Sequence, residues 1–338
     1  TKESKHDIPI IYGIDSIHGA NFVREATLFP HNLGLAATRN PELVEQCFAA
    51  TARETRAAGI TWSFAPGLAV GRQPLWSGFC GTYGEDTLLT TVMGEYAVRG
   101  LQGMDLSAHD RVAATGRYFL GTGMPLSGRD RSPTWAPERY LREYFLPPFW
   151  NAIDQAQLRS IMVNPAETNG IPLHANHSIL TLLLREQIGF GGVVVSDWTA
   201  IESLHTIHRV APDMKEAVRL AIDAGIDIAM VPGDYRFAEH LIELVKEGII
   251  PEARIDVSVR SILNLKADLG LFYDSYPPAD GMTVYDDEST AALSLQAARE
   301  SLVLLKNDGV LPLAEGTRIL LTGPGCRSLP ALHGPWSY

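Results

Sequence analysis

Short apolar runs alternate along the chain with stretches of helical period. The candidate strands are Ile8 to Ile14, Ile60 to Ala65, Val112 to Leu120, Ser160 to Asn164, Gly192 to Ser196 and Ile226 to Val231. Val193, Val194 and Val195 are apolar at consecutive positions, as a strand covered on both faces requires, and this favours a parallel sheet. The intervening helices have readable ends. Asn40-Pro41-Glu42 supplies an N-cap and a first-turn proline, and Ala57-Ala58-Gly59 closes that helix at glycine. Lys215 to Ala224 ends in the same way before Gly225. Repeated strand and helix units predict an α/β fold, either a barrel or a doubly wound sheet. Six strand candidates fall short of the eight of a closed barrel, so a barrel here is expected to begin inside the domain.

The pattern changes after Leu271-Phe272. Residues 273–288 include Tyr276-Pro277-Pro278-Ala279-Asp280-Gly281, whose prolines and glycine predict a linker. Beyond it, 289–338 holds a helix at Thr290 to Glu300 and expected strands at Leu302 to Leu305 and Ile319 to Leu321. So few elements bury little apolar surface, so this stretch reads as the opening of a second α/β unit. The larger unit spans 1–272.

Composition narrows the function classes. With 46% hydrophobic and 20% charged residues the chain is expected to fold rather than remain disordered. A formal net charge of -11 opposes phosphate backbones, so nucleic acid is not an expected partner. No apolar run approaches the roughly 20 residues of a membrane span, and residues 1–7 lack the apolar core of a signal peptide. Cys47, Cys80 and Cys326 form neither a disulfide framework nor a zinc spacing.

In parallel barrels the chemistry sits at the carboxyl ends of the strands. Two carboxylates stand there. Asp197 follows Gly192-Val-Val-Val-Ser196 and precedes Trp198, an arrangement suited to attack on an anomeric carbon beside an aromatic plane, or to capping of the next helix. Asp15, in Tyr12-Gly-Ile-Asp15-Ser-Ile-His18, is placed to accept hydrogen bonds from sugar hydroxyls, while His18 reads as structural. The pairs His174/His177 and His205/His208 raise a metal-dependent hydrolase as an alternative, although their spacing forms no compact ligand motif.

Four long segments in order, Gly13 to Gly19, Thr27 to Gly34, Phe190 to Trp198 and Ala298 to Asn307, resemble glycoside hydrolase family 3. The resemblance covers essentially the whole chain. It implies a (β/α)8 TIM-like barrel, incomplete at its N-terminus, followed by the beginning of an α/β sandwich. It also implies retaining, exo-acting hydrolysis of terminal β-linked sugars, with an oligosaccharide or β-glucoside as substrate and no cofactor. Asp197 falls at the nucleophile, Asp15 at a carboxylate holding the glycone, and Met162 and Trp198 beside the sugar. Arg117-Tyr118 stands where the family has a Lys-His pair, and Leu75-Trp76-Ser77-Gly78 stands where it has Arg-Trp-Gly-Arg. Replacement of the lost charge would have to come from Arg72, Arg129 or Arg131, and a carbohydrate-binding paralogue without turnover is the alternative this substitution raises. The family resemblance implies export, and an oligomer is compatible with the sequence.

Overall fold

The computed structural model describes residues 6–274, 284–285 and 287–337. Its strands are β1 (Gly13–Ile14), β2 (Trp62–Ser63), β3 (Thr115–Phe119), β4 (Ser160–Val163), β5 (Glu167–Thr168), β6 (Ile171–Pro172) and β7 (Val193–Val195). β1 pairs with β2, and β3, β4 and β7 form one ladder, all parallel. Parallel bridges Trp62 to Ala113 and Val195 to Ile228 join β2 to the start of β3 and β7 to the sixth apolar run. The six expected strand positions therefore follow one another in chain order. The sixth is reduced to a single bridge because the Asp227 carboxylate accepts the Val194 N–H at 2.8 Å, a role that a carbonyl of the neighbouring strand would otherwise take. Pairing between that run and β1 does not occur among the described residues, so the structure gives a parallel α/β wrap without a demonstrated closed ring.

Alternation along these strands divides the core. Ile161, Val163 and Val194 join the layer shared with the helices, whereas Met162, Val193 and Val195 join an inner cluster with Trp62 and Ala113. The indole N–H of Trp62 is shared by the hydroxyls of Thr115 at 2.9 Å and Ser160 at 2.8 Å, which satisfies the polar atoms of this interior. The helices follow their sequence signals. Asn40 Oδ1 accepts the Leu43 N–H at the start of Pro41–Ala57, and Gly59 adopts φ +81° just past its end. Asp213 caps Met214–Ala224, which stops at Gly225 with φ +119°.

Most of the expected linker, residues 275–283 and 286, lies outside the described residues. The helix Glu288–Glu300 forms and packs on Pro41–Ala57, where Arg53 meets Asp287 at 3.0 Å and Thr290 Oγ1 at 2.6 Å. The two strands expected beyond it do not form among the described residues. Leu302 to Leu305 and Ile319 to Leu321 have no ladder partner, and their side chains remain exposed. A strand holds its backbone polar groups only when a neighbour completes the ladder, and none is in place here.

Candidate active site

The carboxyl ends of the parallel strands open on one cavity of roughly 300 Å³. Asp15, Arg117, Tyr118, Met162, Asp197 and Trp198 all line it, joined by Phe64, Asp130, Arg131, Pro165, Met230 and Trp336. Every sequence-derived candidate thus reaches one space. Asp15 directly follows β1, Met162 lies in β4, and Asp197 stands two residues beyond β7.

Arg117 and Tyr118 are adjacent in β3, and neighbouring side chains of a regular strand point to opposite faces. The ladder slips between them and Phe119: Arg117 pairs with Met162 and Phe119 with Val163, leaving Tyr118 as an extra residue. Tyr118 takes φ +72°, a left-handed backbone that costs a bulky residue of order 1–3 kcal/mol. The bulge lets both side chains line the cavity. Arg131, at φ +59°, and Thr199, at φ +60°, place two further left-handed residues around the same site.

Asp197 is 4% exposed, and its carboxylate is displaced from the ordinary range of an aspartate. Burial raises its pKa to about 6, Arg117 and Arg131 oppose that rise, and Asp130 and Asp15 add to it. Arg131 Nη2 meets Asp197 Oδ1 at 2.7 Å, while Arg131 Nη1 donates to the Trp198 carbonyl at 3.1 Å. The helix Ala200–Thr206 is preceded by Thr199 without a side-chain cap, so the Asp197 side chain is not spent on capping. Its backbone N–H donates instead to His174 Nε2 at 3.0 Å. His174 is buried, and desolvation, followed by the charges of His208 and Arg131, lowers its pKa to about 3. A neutral imidazole with an accepting Nε2 is what that contact requires.

Arg117 donates to Asp15 in a short charged contact and places its guanidinium 4.7 Å from the Tyr118 ring and 5.5 Å from that of Trp336. Burial pushes the Tyr118 phenol to about 12, against the pull of Arg117, so the hydroxyl stays protonated. Trp198 is 56% exposed at the rim. His18 is structural in its contacts: it stacks on His31 at 4.0 Å, and its Nε2 meets the Pro335 carbonyl at 3.1 Å. His205 Nδ1 meets the Ala211 carbonyl, and His208 lies 3.7 Å from Glu167. No group of three or more His, Cys, Asp or Glu side chains among the described residues is arranged to hold a metal.

Arg131, Asp130 and Trp336 are the residues that strand-end reasoning does not reach. Arg72, another expected source of charge, instead packs over the rings of Tyr140 and Tyr144. Asp130 and Arg131 sit at the tip of a loop that is pinned by Thr134 Oγ1 donating to the Gly121 carbonyl and by Asn169, on the β5–β6 turn, holding the Ala136 backbone. The cluster Gly128-Arg-Asp-Arg131 is the one sequence signal that marks it.

Comparison with known proteins decides the lineage. The description "Glycosyl hydrolase family 3 N terminal domain" matches residues 1–265. The chain belongs to glycosyl hydrolase family 3. A lysosomal beta glucosidase of Dictyostelium discoideum is 46% identical over 348 residues, covering 99% of this chain and 42% of the relative. The periplasmic beta-glucosidase of Salmonella typhimurium is 33% identical, covering 99% and 43%. Among solved structures, the beta-glucosidase from Listeria innocua superposes with TM-score 0.93 at 31% identity, over 99% of this chain and 46% of that one. The exo-1,3/1,4-beta-glucanase from a Pseudoalteromonas species gives 0.90 at 36% identity, over 98% and 42%. This chain therefore spans less than half the length of these family 3 relatives.

Proposed function

We propose that the protein is a retaining, exo-acting β-glycosidase that hydrolyses terminal β-linked glucosyl or related residues through a covalent intermediate on Asp197. The observation that carries this reading is the buried Asp197 carboxylate facing a sugar-sized cavity together with the Asp15–Arg117 pair and Trp198. In this reading Asp197 attacks the anomeric carbon, the aglycone leaves, and water then releases the sugar. Asp15 and Arg117 grip the glycone hydroxyls by charged hydrogen bonds, each contributing about 1.5–3 kcal/mol. Tyr118 offers a neutral hydroxyl, and Met162 and Trp198 give the ring its apolar contacts. The relatives bearing glucosidase names support the substrate class. Arg131 beside Asp197 supports this reading, because its charge favours the ionised carboxylate that attack requires.

The six-strand wrap is read as part of a (β/α)8 ring spanning 1–272, with 273–288 as connector and 289–338 as the opening of a second, sandwich-type unit. Incubation with an activated 2-fluoro β-glucoside tests the mechanism. The expected result is a single covalent adduct that maps to Asp197 by peptide mass. A folded protein that hydrolyses aryl β-glucosides without ever trapping an adduct there overturns it.

A further inference from the structure

The β5–β6 hairpin reaches both partners of the Arg131–Asp197 contact. On one side it holds the Arg131 loop: the Thr134 N–H donates to the Glu167 carbonyl at 3.0 Å, the Asn169 N–H donates to the Thr134 carbonyl at 2.8 Å, and the Asn169 side chain satisfies both polar groups of the Ala136 backbone. On the other side it holds the Asp197 segment. His174, two residues past β6, accepts the Asp197 N–H. Glu167 Oε2 lies 3.7 Å from Nδ1 of His208, which stands two residues past the helix Ala200–Thr206 that Asp197 and Trp198 lead into.

These contacts close a circuit. It runs from Asp197 through Ala200–Thr206 to His208, across to Glu167, through the hairpin to Thr134, and back along the loop to Arg131, whose Nη2 meets Asp197 Oδ1 at 2.7 Å. Before that last contact, every link is backbone or a backbone hydrogen bond except Glu167–His208. Its side chains are 25% and 10% exposed, and ion pairs set back from water are screened less than exposed ones, so the contact can fix the spacing of the two arms. Glu167 does not line the cavity at Asp197, so it acts on the site only through what it holds.

The charged and titratable groups around Asp197 are Arg117 in β3, Asp130 and Arg131 in the loop, Asp15 after β1 and His174 after β6. His208 faces Glu167 and His174. Of the two cations at Asp197, Arg117 is bound to Asp15 within the strand wrap, whereas Arg131 stands on a loop and depends on the scaffold for its place. We infer that Glu167 is a positioning residue, which through His208 holds Arg131 against the Asp197 carboxylate. Its kinetic readout rests on Asp197 being the nucleophile; the contact itself does not.

The test is Glu167→Gln, in which two effects have opposite signs. Loosening the circuit weakens the hold of Arg131 and favours the neutral acid at Asp197, whereas loss of the Glu167 charge by itself favours the ionised form. Profiles of kcat/KM on 4-nitrophenyl β-glucoside should place the acid limb of Glu167→Gln about half a pH unit higher, about a threefold loss on the acid side. The shift should vanish when the same change is made in Arg131→Ala. A limb that stays or moves down, or one that moves equally without Arg131, overturns the inference. If Glu167→Gln does not fold, His208→Gln cuts the same link from its other end and is read in the same two backgrounds. In a protein without turnover, carbon NMR titration of the Asp197 carboxyl, assigned with Asp197→Asn, reads the same shift. A carboxyl that moves in a protein that never labels at Asp197 sinks the catalytic reading and leaves Glu167 in its role, and a labelled Asp197 with an unmoved limb does the reverse.

Discussion

Arg131 Nη2 stands 2.7 Å from Asp197 Oδ1, although the two residues belong to a surface loop and a strand end 66 positions apart. The contact offsets part of the desolvation that burial imposes on the carboxylate, whose pKa nevertheless rests near 6. The site thus holds a carboxylate that is ionised at neutral pH and poised to lose its charge just below it.

That balance sets an acid limit on activity. In the proposed mechanism only ionised Asp197 attacks, so kcat/KM should fall about tenfold per pH unit below roughly 6. Removing the cation in Arg131→Ala favours the neutral acid, which moves the acid limb to higher pH by about one unit. Arg131→Lys should restore part of the shift. Profiles of kcat/KM on an aryl β-glucoside between pH 4 and 8 check both, and a limb that stays in place in Arg131→Ala contradicts the pairing.

The same burial predicts a trade of stability against function. Folding raises the Asp197 pKa from 3.8 to about 6, so the folded state disfavours the carboxylate and binds its proton more tightly than the unfolded chain. Asp197→Asn should therefore abolish turnover while stabilising the fold by about 1–3 kcal/mol at pH 7. The gain should shrink as pH falls through 6 and vanish near 4, where the native aspartate is itself protonated. Urea unfolding of both proteins at pH 7 and pH 4 measures it.

The Asp15–Arg117 pair should behave as a unit. Its side chains are 25% and 10% exposed, so removing one partner leaves a largely buried charge. Arg117→Ala is expected to cost about 3–5 kcal/mol of stability, and Asp15→Asn combined with it distinctly less than the sum of the two single changes. Chemical denaturation of the four proteins of the cycle supplies the coupling, and simple additivity argues against the pair.

His174 offers a separate check on how Asp197 is positioned. His174→Phe leaves the Asp197 amide without its buried acceptor and should cost about 1–3 kcal/mol, whereas His174→Gln keeps an acceptor and should recover part of it. Because the contact acts through the Asp197 backbone, kcat should drop more than KM changes in His174→Phe, with partial rescue in the glutamine variant.

Much of this architecture is legible in the sequence because parallel strands covered on both faces write themselves as unbroken apolar runs. Five of the six such runs contain a ladder strand, and the sixth shrinks to a bridge because Asp227 substitutes a side chain for a backbone partner. The strand-end residues Asp15 and Asp197 are readable for the same reason. Arg131 is readable only as one of three arginines that could supply charge, and Trp336 not at all, since loops carry no periodicity and their reach is set by distant supports such as Asn169, and Asn21 holding the Trp336 carbonyl at 2.5 Å. Leu302 to Leu305 shows the opposite failure, for an apolar run has strand character only when a neighbouring strand completes it.

The one-residue slip at Tyr118 has a consequence for anyone transplanting or redesigning this pocket. A straight strand turns every second side chain to a cavity, so two contiguous cavity-lining residues normally demand two strands. Here a single strand delivers both, and Phe119 just beyond is back in phase with the helical layer, edge-on to Phe149 at 5.1 Å. Deleting one residue from β3 would do more than remove a hydroxyl. It would restore the even rhythm of the strand and force its two ends to compete over which of them keeps its correct face.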